Sequence, residues 1–504
     1  MHALPVRGDV ASVRPLRPLR PAVTVAAAGV VVRSPARELA RRRVVRLVFV
    51  IYLLAIFEGA LRKYVLPQFG QYIFFVRDPF LAWAYVVATR AGLWPRGEAM
   101  GRVVLWAGVG GMVLLVLQIG FGPPSDFRLL LGAYGWRAYF FYVPLALLVG
   151  ATFERADLAR LARLTLWLAV PIALLVALQF FSPPSATVNV GTADDKLLQF
   201  HDLVVDSAHV RPAGPFSSNA GLQQFVITAM AMLLAMVIRP AARRGVGLAP
   251  LVVGGAAVLT CVALSGSRGT MLQSAMVMLF ALPVAMLARG GATRTRAALV
   301  PIALAVAAIT LYPVLFPEGF ATFMTRWTTA ARDESGVEGG VFGRALYGFV
   351  DFLRLTDQVP PLGVGLGFGG NAATLMKATV DGVQPGVYAE TDWARQMVDL
   401  GPACGVAYVV FRIVFTVWLL RRVLRATRRF DDPLPMLLFA YAGYVVLLSQ
   451  ITGNGSINVY AWLFAGVCLA ACRVAGTGPR ARVPARAWAG ERAAPCRAPR
   501  SLAP

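Results

Sequence analysis

Gly343-Arg344-Ala345-Leu346-Tyr347, Pro360-Pro361-Leu362-Gly363-Val364-Gly365-Leu366-Gly367 and Tyr388-Ala389-Glu390-Thr391-Asp392-Trp393-Ala394-Arg395 belong to one polar interval, residues 317–401, which separates two apolar segments. No longer stretch of this chain is too polar to sit inside a membrane. The interval holds ten acids against six bases, whereas the whole chain carries a formal charge of +24. Membrane topology accounts for a locally acidic block in a basic protein, because bases collect on one side of the bilayer and are sparse on the other.

Working outward, 58% of the 504 residues are hydrophobic and only 15% are charged. Soluble domains keep roughly a quarter of their residues charged. Apolar runs of about 20 residues recur, each long enough to cross about 30 Å of hydrocarbon as a helix. The chain therefore reads as all-α, a polytopic helical membrane protein with about twelve transmembrane helices. The expected spans are 44–61, 72–89, 103–121, 137–153, 164–181, 219–238, 248–265, 270–288, 298–316, 402–420, 434–451 and 457–473. Short connections after the even-numbered spans carry the arginines, for example Arg239 and Arg243, Arg289 and Arg294, and Arg421 through Arg429. The positive-inside rule then puts both termini in the cytoplasm. Residues 182–218 and 317–401 become extracytoplasmic loops, the second large and partly helical. Residues 1–43 and 475–504, rich in Arg, Pro and Ala, read as disordered basic cytoplasmic arms around a transmembrane domain at 44–474.

Basic clusters beside apolar segments are a topology signal, and no aromatic-rich soluble module accompanies them, so nucleic acid is not an expected partner. The five cysteines make no metal spacing, and no metal or cofactor is expected. One early segment is unusual. Glu58, Arg62 and Lys63 stand near the end of the first span, and Arg77-Asp78-Pro79 opens the second. Such charges are costly in lipid, which points to a charge-paired re-entry between the two helices, with a substrate role as the alternative.

With this topology, arginines on the outer face become informative. Arg211 lies in Val210-Arg211-Pro212-Ala213-Gly214-Pro215-Phe216-Ser217-Ser218-Asn219, just before a span. Arg268 lies in the tight hairpin Leu264-Ser265-Gly266-Ser267-Arg268-Gly269, and Arg344 in the large loop. A guanidinium donates in pairs to phosphate oxygens and stays charged. Nearby glycines let backbone N–H groups approach an anion. Three such sites on one face point to a diphosphate held at the outer leaflet, and snorkelling to lipid headgroups is the competing explanation.

Taken in order, these segments resemble bacterial O-antigen ligases and O-antigen or exopolysaccharide polymerases. Arg211 to Asn219 is similar to their Arg…Gly-x-Phe…Asn segment, and Leu264 to Gly269 to their Ser-Arg-Gly hairpin. Pro361 to Gly367 is similar to their Pro-Leu-x-Gly-x-Gly element, and Glu390 to Gly401 to the segment running from His-Asn to Glu-Leu-Gly. The resemblance spans roughly residues 160–470. Where ligases of that family carry His this chain has Glu390, and Thr391 stands for the neighbouring Asn.

The resemblance implies a metal-independent, inverting C-type glycosyltransferase in the bacterial inner membrane. Its partners would be a polyprenyl-diphosphate-linked glycan donor, a glycan or lipid-linked glycan acceptor, and the lipid bilayer. Arg211 and Arg268 would hold the diphosphate and Glu390 would be the general base. A carboxylate can take that role when burial or a neighbour such as Asp392 raises its pKa. Arg344, Asp392, Arg395, Trp393, Ser267, Asn219 and His209 complete the candidate substrate-binding set. Trp393 would stack on a sugar, with an interfacial tryptophan as the commoner explanation, and Arg412, inside a span, would face a cavity or partner and could border the carrier groove. Two other classes stay open: a secondary transporter, and a non-catalytic component of a polysaccharide export complex that binds a glycan lipid.

Overall fold

The computed structural model describes residues 34–73, 75–95, 97–122, 127–190, 209–243, 245–333, 350, 352–354, 359–370, 373 and 391–475. Among these residues the regular structure is helical. α1 (Pro35–Ala60) starts with a side-chain cap from Ser34 and a proline in its first turn, and runs into a π-helical turn at Leu61–Val65. Residues 35–43, expected in a disordered arm, are the start of this helix. α2 (Asp78–Arg90), α3 (Ala99–Phe121) and α4 (Arg128–Trp136) follow. A second π-helical turn, Arg137–Phe141, joins α4 to α5 (Val143–Thr152), where Pro144 resets the helix. α6 (Arg155–Phe181) opens with a reciprocal cap between Glu154 and Asp157.

The second half contains α7 (Asn219–Ile238), α8 (Leu248–Leu264), α9 (Arg268–Leu279), α10 (Ala281–Leu287), α11 (Gly291–Leu315), α12 (Pro317–Asp333), α13 (Asp392–Phe430), α14 (Leu434–Leu448) and α15 (Gly455–Val474). Among the described residues eight helical stretches are long and apolar enough to cross a membrane. The other four expected spans fall on shorter or broken helices: α2, the α4–α5 break, α8 and α14. The chain is a helical membrane protein.

Burial sorts the helices into centre and rim. In α7 and α15, 83% and 89% of the most apolar window is covered by protein; in α11 the figure is 6%. Small residues let the central helices touch, with Gly466 of α15 against Ala146 and Val149 of α5, and Gly150 against Leu469. On α3 and α11 large apolar side chains such as Trp106, Val116, Ile309 and Val314 face outward, as lipid requires.

The two ends of the bundle differ chemically. At one end Arg41 bonds Asp157 at 2.8 Å, Arg239 pairs with Asp432 at 3.2 Å, and the backbone of Arg289 and Gly290 donates to Asp431. Burial there pushes the Asp432 carboxyl above the usual carboxylate range, and Arg239 opposes that shift. The opposite end gathers the loop before α7, the α8–α9 hairpin, the glycine-rich element 360–367 and the beginnings of α13 and α15.

Residues 317–401, expected as one large loop, are not uniform. Residues 392–400 form a buried helical segment, and only at Gly401 (φ 78°, ψ 168°) does α13 turn to continue with Pro402. That backbone conformation is open essentially to glycine alone. The Pro360–Gly367 element packs into this corner, with Val364 N donating to Val398 O at 2.8 Å. An ideal Cβ on Gly363 would lie 2.5 Å from Gly401 N and 2.6 Å from Asp399 O. Gln118 of α3, 3% exposed, secures the contact from the side. Its amide donates to Leu362 O at 2.7 Å and Asp399 O at 2.8 Å, and its oxygen accepts from Leu366 N at 2.9 Å.

Candidate functional site

Two glycine-bearing loops meet at this end. Val210–Ser218 precedes α7, and Ser265–Ser267 joins α8 to α9. A Cβ on Gly266 would lie 4.0 Å from Arg211 Cγ and 4.0 Å from Thr322 Cγ2 of α12, so the arginine stem rests against the hairpin beneath an overlying helix. Asn219, first residue of α7, clasps both loops: its amide donates to Pro212 O at 2.9 Å and Ser265 O at 3.4 Å. Ser267 caps α9 by accepting from Thr270 N at 3.3 Å, so its hydroxyl has a helix-starting duty. Arg268 begins that helix, and both it and Arg211 are half-buried. His209 stacks on Phe180 at 4.4 Å between centroids and meets Glu318 of α12 at 3.1 Å, which ties α12 over the loop.

Asp392, expected beside the base, is an anchor. It is 2% exposed. Arg412 reaches one of its oxygens at 2.5 Å, and the Thr452 hydroxyl donates to the other at 2.7 Å. Arg412 also donates to Val446 O at 2.7 Å and Ser449 O at 2.9 Å. It holds α13 to α14. Trp393, expected to stack on a sugar, is 5% exposed. Its indole N–H donates to Leu447 O at 2.7 Å, and its ring meets Phe352 edge-on, so it packs inside the bundle. Arg395, also buried, approaches Asp392 at 3.4 Å and lies on the face of Gly453, where no Cβ obstructs it. Glu390 and Arg344 lie outside the described residues.

The early charged segment joins the same end. Arg77 and Asp78, adjacent in sequence, do not pair with each other. Arg77 pairs with Glu58 at 3.0 Å, both fully buried. Asp78 pairs with Arg137 in the π-helical turn and accepts from Tyr142 OH at 2.6 Å. Gly59 packs against the backbone of Phe216 and Ser217, and Ala60 N donates to Pro215 O at 2.7 Å. The re-entry thus supports the Arg211 loop from below.

No protein-family model matches this chain, and no curated protein matches it.

The arrangement brings Arg211, Asn219, Ser267 and His209 to one pair of loops with Arg268 at its edge. Asp392, Trp393 and Arg395 sit together at the start of α13, held by α14 and the turn before α15. Reading the residues missed Gln118 and the Thr452–Ser456 turn. Gly-Asn-Gly-Ser immediately before an apolar helix was the available signal, since such a helix start collects polar partners. Among the described residues no group of His, Cys, Asp and Glu has the makings of a metal site.

Proposed function

We propose that the chain crosses the bacterial inner membrane twelve times, with both termini cytoplasmic, and transfers a glycan from a polyprenyl diphosphate to an acceptor hydroxyl on the extracytoplasmic face. One observation carries this reading: Arg211 lies against the Gly266 hairpin that leads into Arg268, and Asn219 bonds both loops. Two guanidinium-bearing loops fixed to one another at the end of an apolar bundle suit a diphosphate whose lipid tail remains in the bilayer. The arginine-rich opposite end supports the orientation.

In this reaction the acceptor oxygen forms a bond to the anomeric carbon as the bond from that carbon to the diphosphate oxygen breaks, with inversion. Glu390 takes the hydroxyl proton, and the electron pair leaves with the polyprenyl diphosphate. Arg211 and Arg268 stabilise the charge gathering on the leaving group, the group whose charge rises most in the transition state. Arg344 assists or orients the loop that carries it.

Single substitution of Arg211, Arg268 and Glu390, followed by electrophoresis of surface polysaccharide, tests the proposal. Loss of long chains with short lipid-linked units retained identifies a polymerase. Loss of glycan from its final acceptor, while long carrier-linked chains persist, identifies a ligase. Unchanged glycan in all three variants rejects both. A second reading, a secondary transporter, draws on the interrupted α4–α5 helix and the partly buried Asp78–Arg137 pair beside it, a combination found at transporter binding sites. Intact glycan chains that accumulate on the cytoplasmic side in an Arg137→Gln strain would favour it.

A further inference from the structure

Arg77 is the largest charged side chain fully closed from solvent in the described structure besides Arg412, and the two are held in opposite ways. Arg412 uses its nitrogens on Val446, Ser449 and Asp392. Arg77 makes no hydrogen bond through Nε or either terminal nitrogen, and its ion pair with Glu58 lies outside hydrogen-bond geometry, so both Glu58 oxygens are also without one. A buried guanidinium that meets its carboxylate outside hydrogen-bond geometry is expensive, and part of that cost is recovered when an anion takes the donors squarely.

Besides the Glu58 carboxylate at Arg77 and the Asp392 carboxylate at Arg395, several groups near the fork favour an anion. One terminal nitrogen of Arg77 stands 3.5 Å from where a Cβ on Gly455 would be, at the first residue of the 20-residue α15. A helix start of that length presents positive potential. Two residues earlier Arg395 lies on the face of Gly453, with its Nε likewise free of hydrogen bonds. Ser217 and Ser456 place hydroxyls 3.2 Å apart on the flank, and Ser218 Oγ is buried without a hydrogen bond. Asn454 and Gly455 are half-buried, so the turn reaches the surface there.

We propose that Arg77, Arg395 and the Gly453–Ser456 turn form a second anion site that takes a phosphate group, next to the Arg211 loop yet separate from the Arg211–Arg268 pair, with Glu58 as the counter-ion that the phosphate displaces from Arg77. This site does not depend on glycan transfer. It accepts a free phosphate or the headgroup of a lipid with equal chemistry.

The full chain, purified in detergent, is titrated calorimetrically with inorganic diphosphate and with farnesyl diphosphate in an Arg211→Gln/Arg268→Gln background. Binding persists in that background, weakens at least tenfold on adding Arg77→Gln, and is partly restored by Arg77→Lys. Glu58→Gln, which removes the competing carboxylate, tightens binding several-fold and serves should Arg77→Gln fail to fold. Tighter binding of farnesyl diphosphate than of diphosphate assigns the site to a lipid headgroup; equal binding assigns it to the free anion. No binding in the double-variant background, affinity unchanged by Arg77→Gln, or affinity not raised by Glu58→Gln would overturn the proposal. Loss of glycan transfer in Arg211 or Arg268 variants bears on neither result.

Discussion

Asp392 and Arg412 stand on opposite sides of the Gly401 corner and meet at 2.5 Å, with no exposed side-chain surface on either. A pair closed from water in this way is worth little as an attraction, but it punishes the loss of one member. Asp392→Ala or Arg412→Ala alone should cost about 3–5 kcal/mol, because each leaves a buried charge uncompensated. The Asp392→Ala/Arg412→Ala double variant should cost clearly less than the sum. Thermal unfolding of the four proteins in one detergent closes the cycle, and additive losses would show that the contact has no energetic meaning.

The corner itself makes a separate prediction. Gly363 (φ +75°) and Gly97 (φ +77°) share a positive φ that disfavours side chains, but a Cβ on Gly97 meets nothing within 4 Å. Gly97→Ala should therefore cost only the conformational penalty, about 1–2 kcal/mol. Gly363→Ala adds a clash with the backbone of Asp399 and Gly401, and should lower the melting temperature by a clearly larger amount. Equal shifts would mean that the 360–367 element is not docked there.

Gln118 is the polar clasp of that docking. Gln118→Leu preserves bulk but leaves Leu362 O, Asp399 O and Leu366 N without their partner. At about 1–3 kcal/mol for each buried group left unsatisfied, this substitution should rank among the most damaging single changes in α3. A melting temperature within a degree of the parent's would contradict it.

Orientation is open to a direct measurement. In a cysteine-free background, Glu318→Cys and Arg428→Cys place exposed thiols at opposite ends of the bundle. A membrane-impermeant maleimide added to intact cells should label the first and spare the second. The reverse pattern would invert the topology.

Much of this fold was legible because lipid imposes a coarse rule: apolar runs become helices, and arginines gather on one side. What the sequence hid was how segments meet. Asp392 and Trp393 stand in a polar neighbourhood along the chain, so they read as loop residues near a substrate. In space they form a buried helical turn, because Arg412, itself conspicuous in an apolar span, needs a carboxylate. A charge-paired re-entry was legible at Arg77 and Asp78, but not which partner each takes: Glu58 for the first and Arg137 for the second. Arg211 and the Gly266 hairpin were legible as separate anion-friendly loops; that Asn219 joins them required the coordinates.

α11 carries a further consequence. With so little of its apolar surface against protein, its pose is set by the bilayer. Its first turns carry Arg294 and Arg296, and the apolar part from Ala297 to Leu315, 19 residues or about 28 Å at ~1.5 Å each, matches the ~30 Å of hydrocarbon. Near its end Tyr312 bonds Ala263 O at 2.9 Å, and α12, which follows at once, lies over Gly266. Membrane thickness is thereby geared to the arginine hairpin, because a bilayer thicker or thinner than that apolar part would shift α11 and draw on the roof above Arg211.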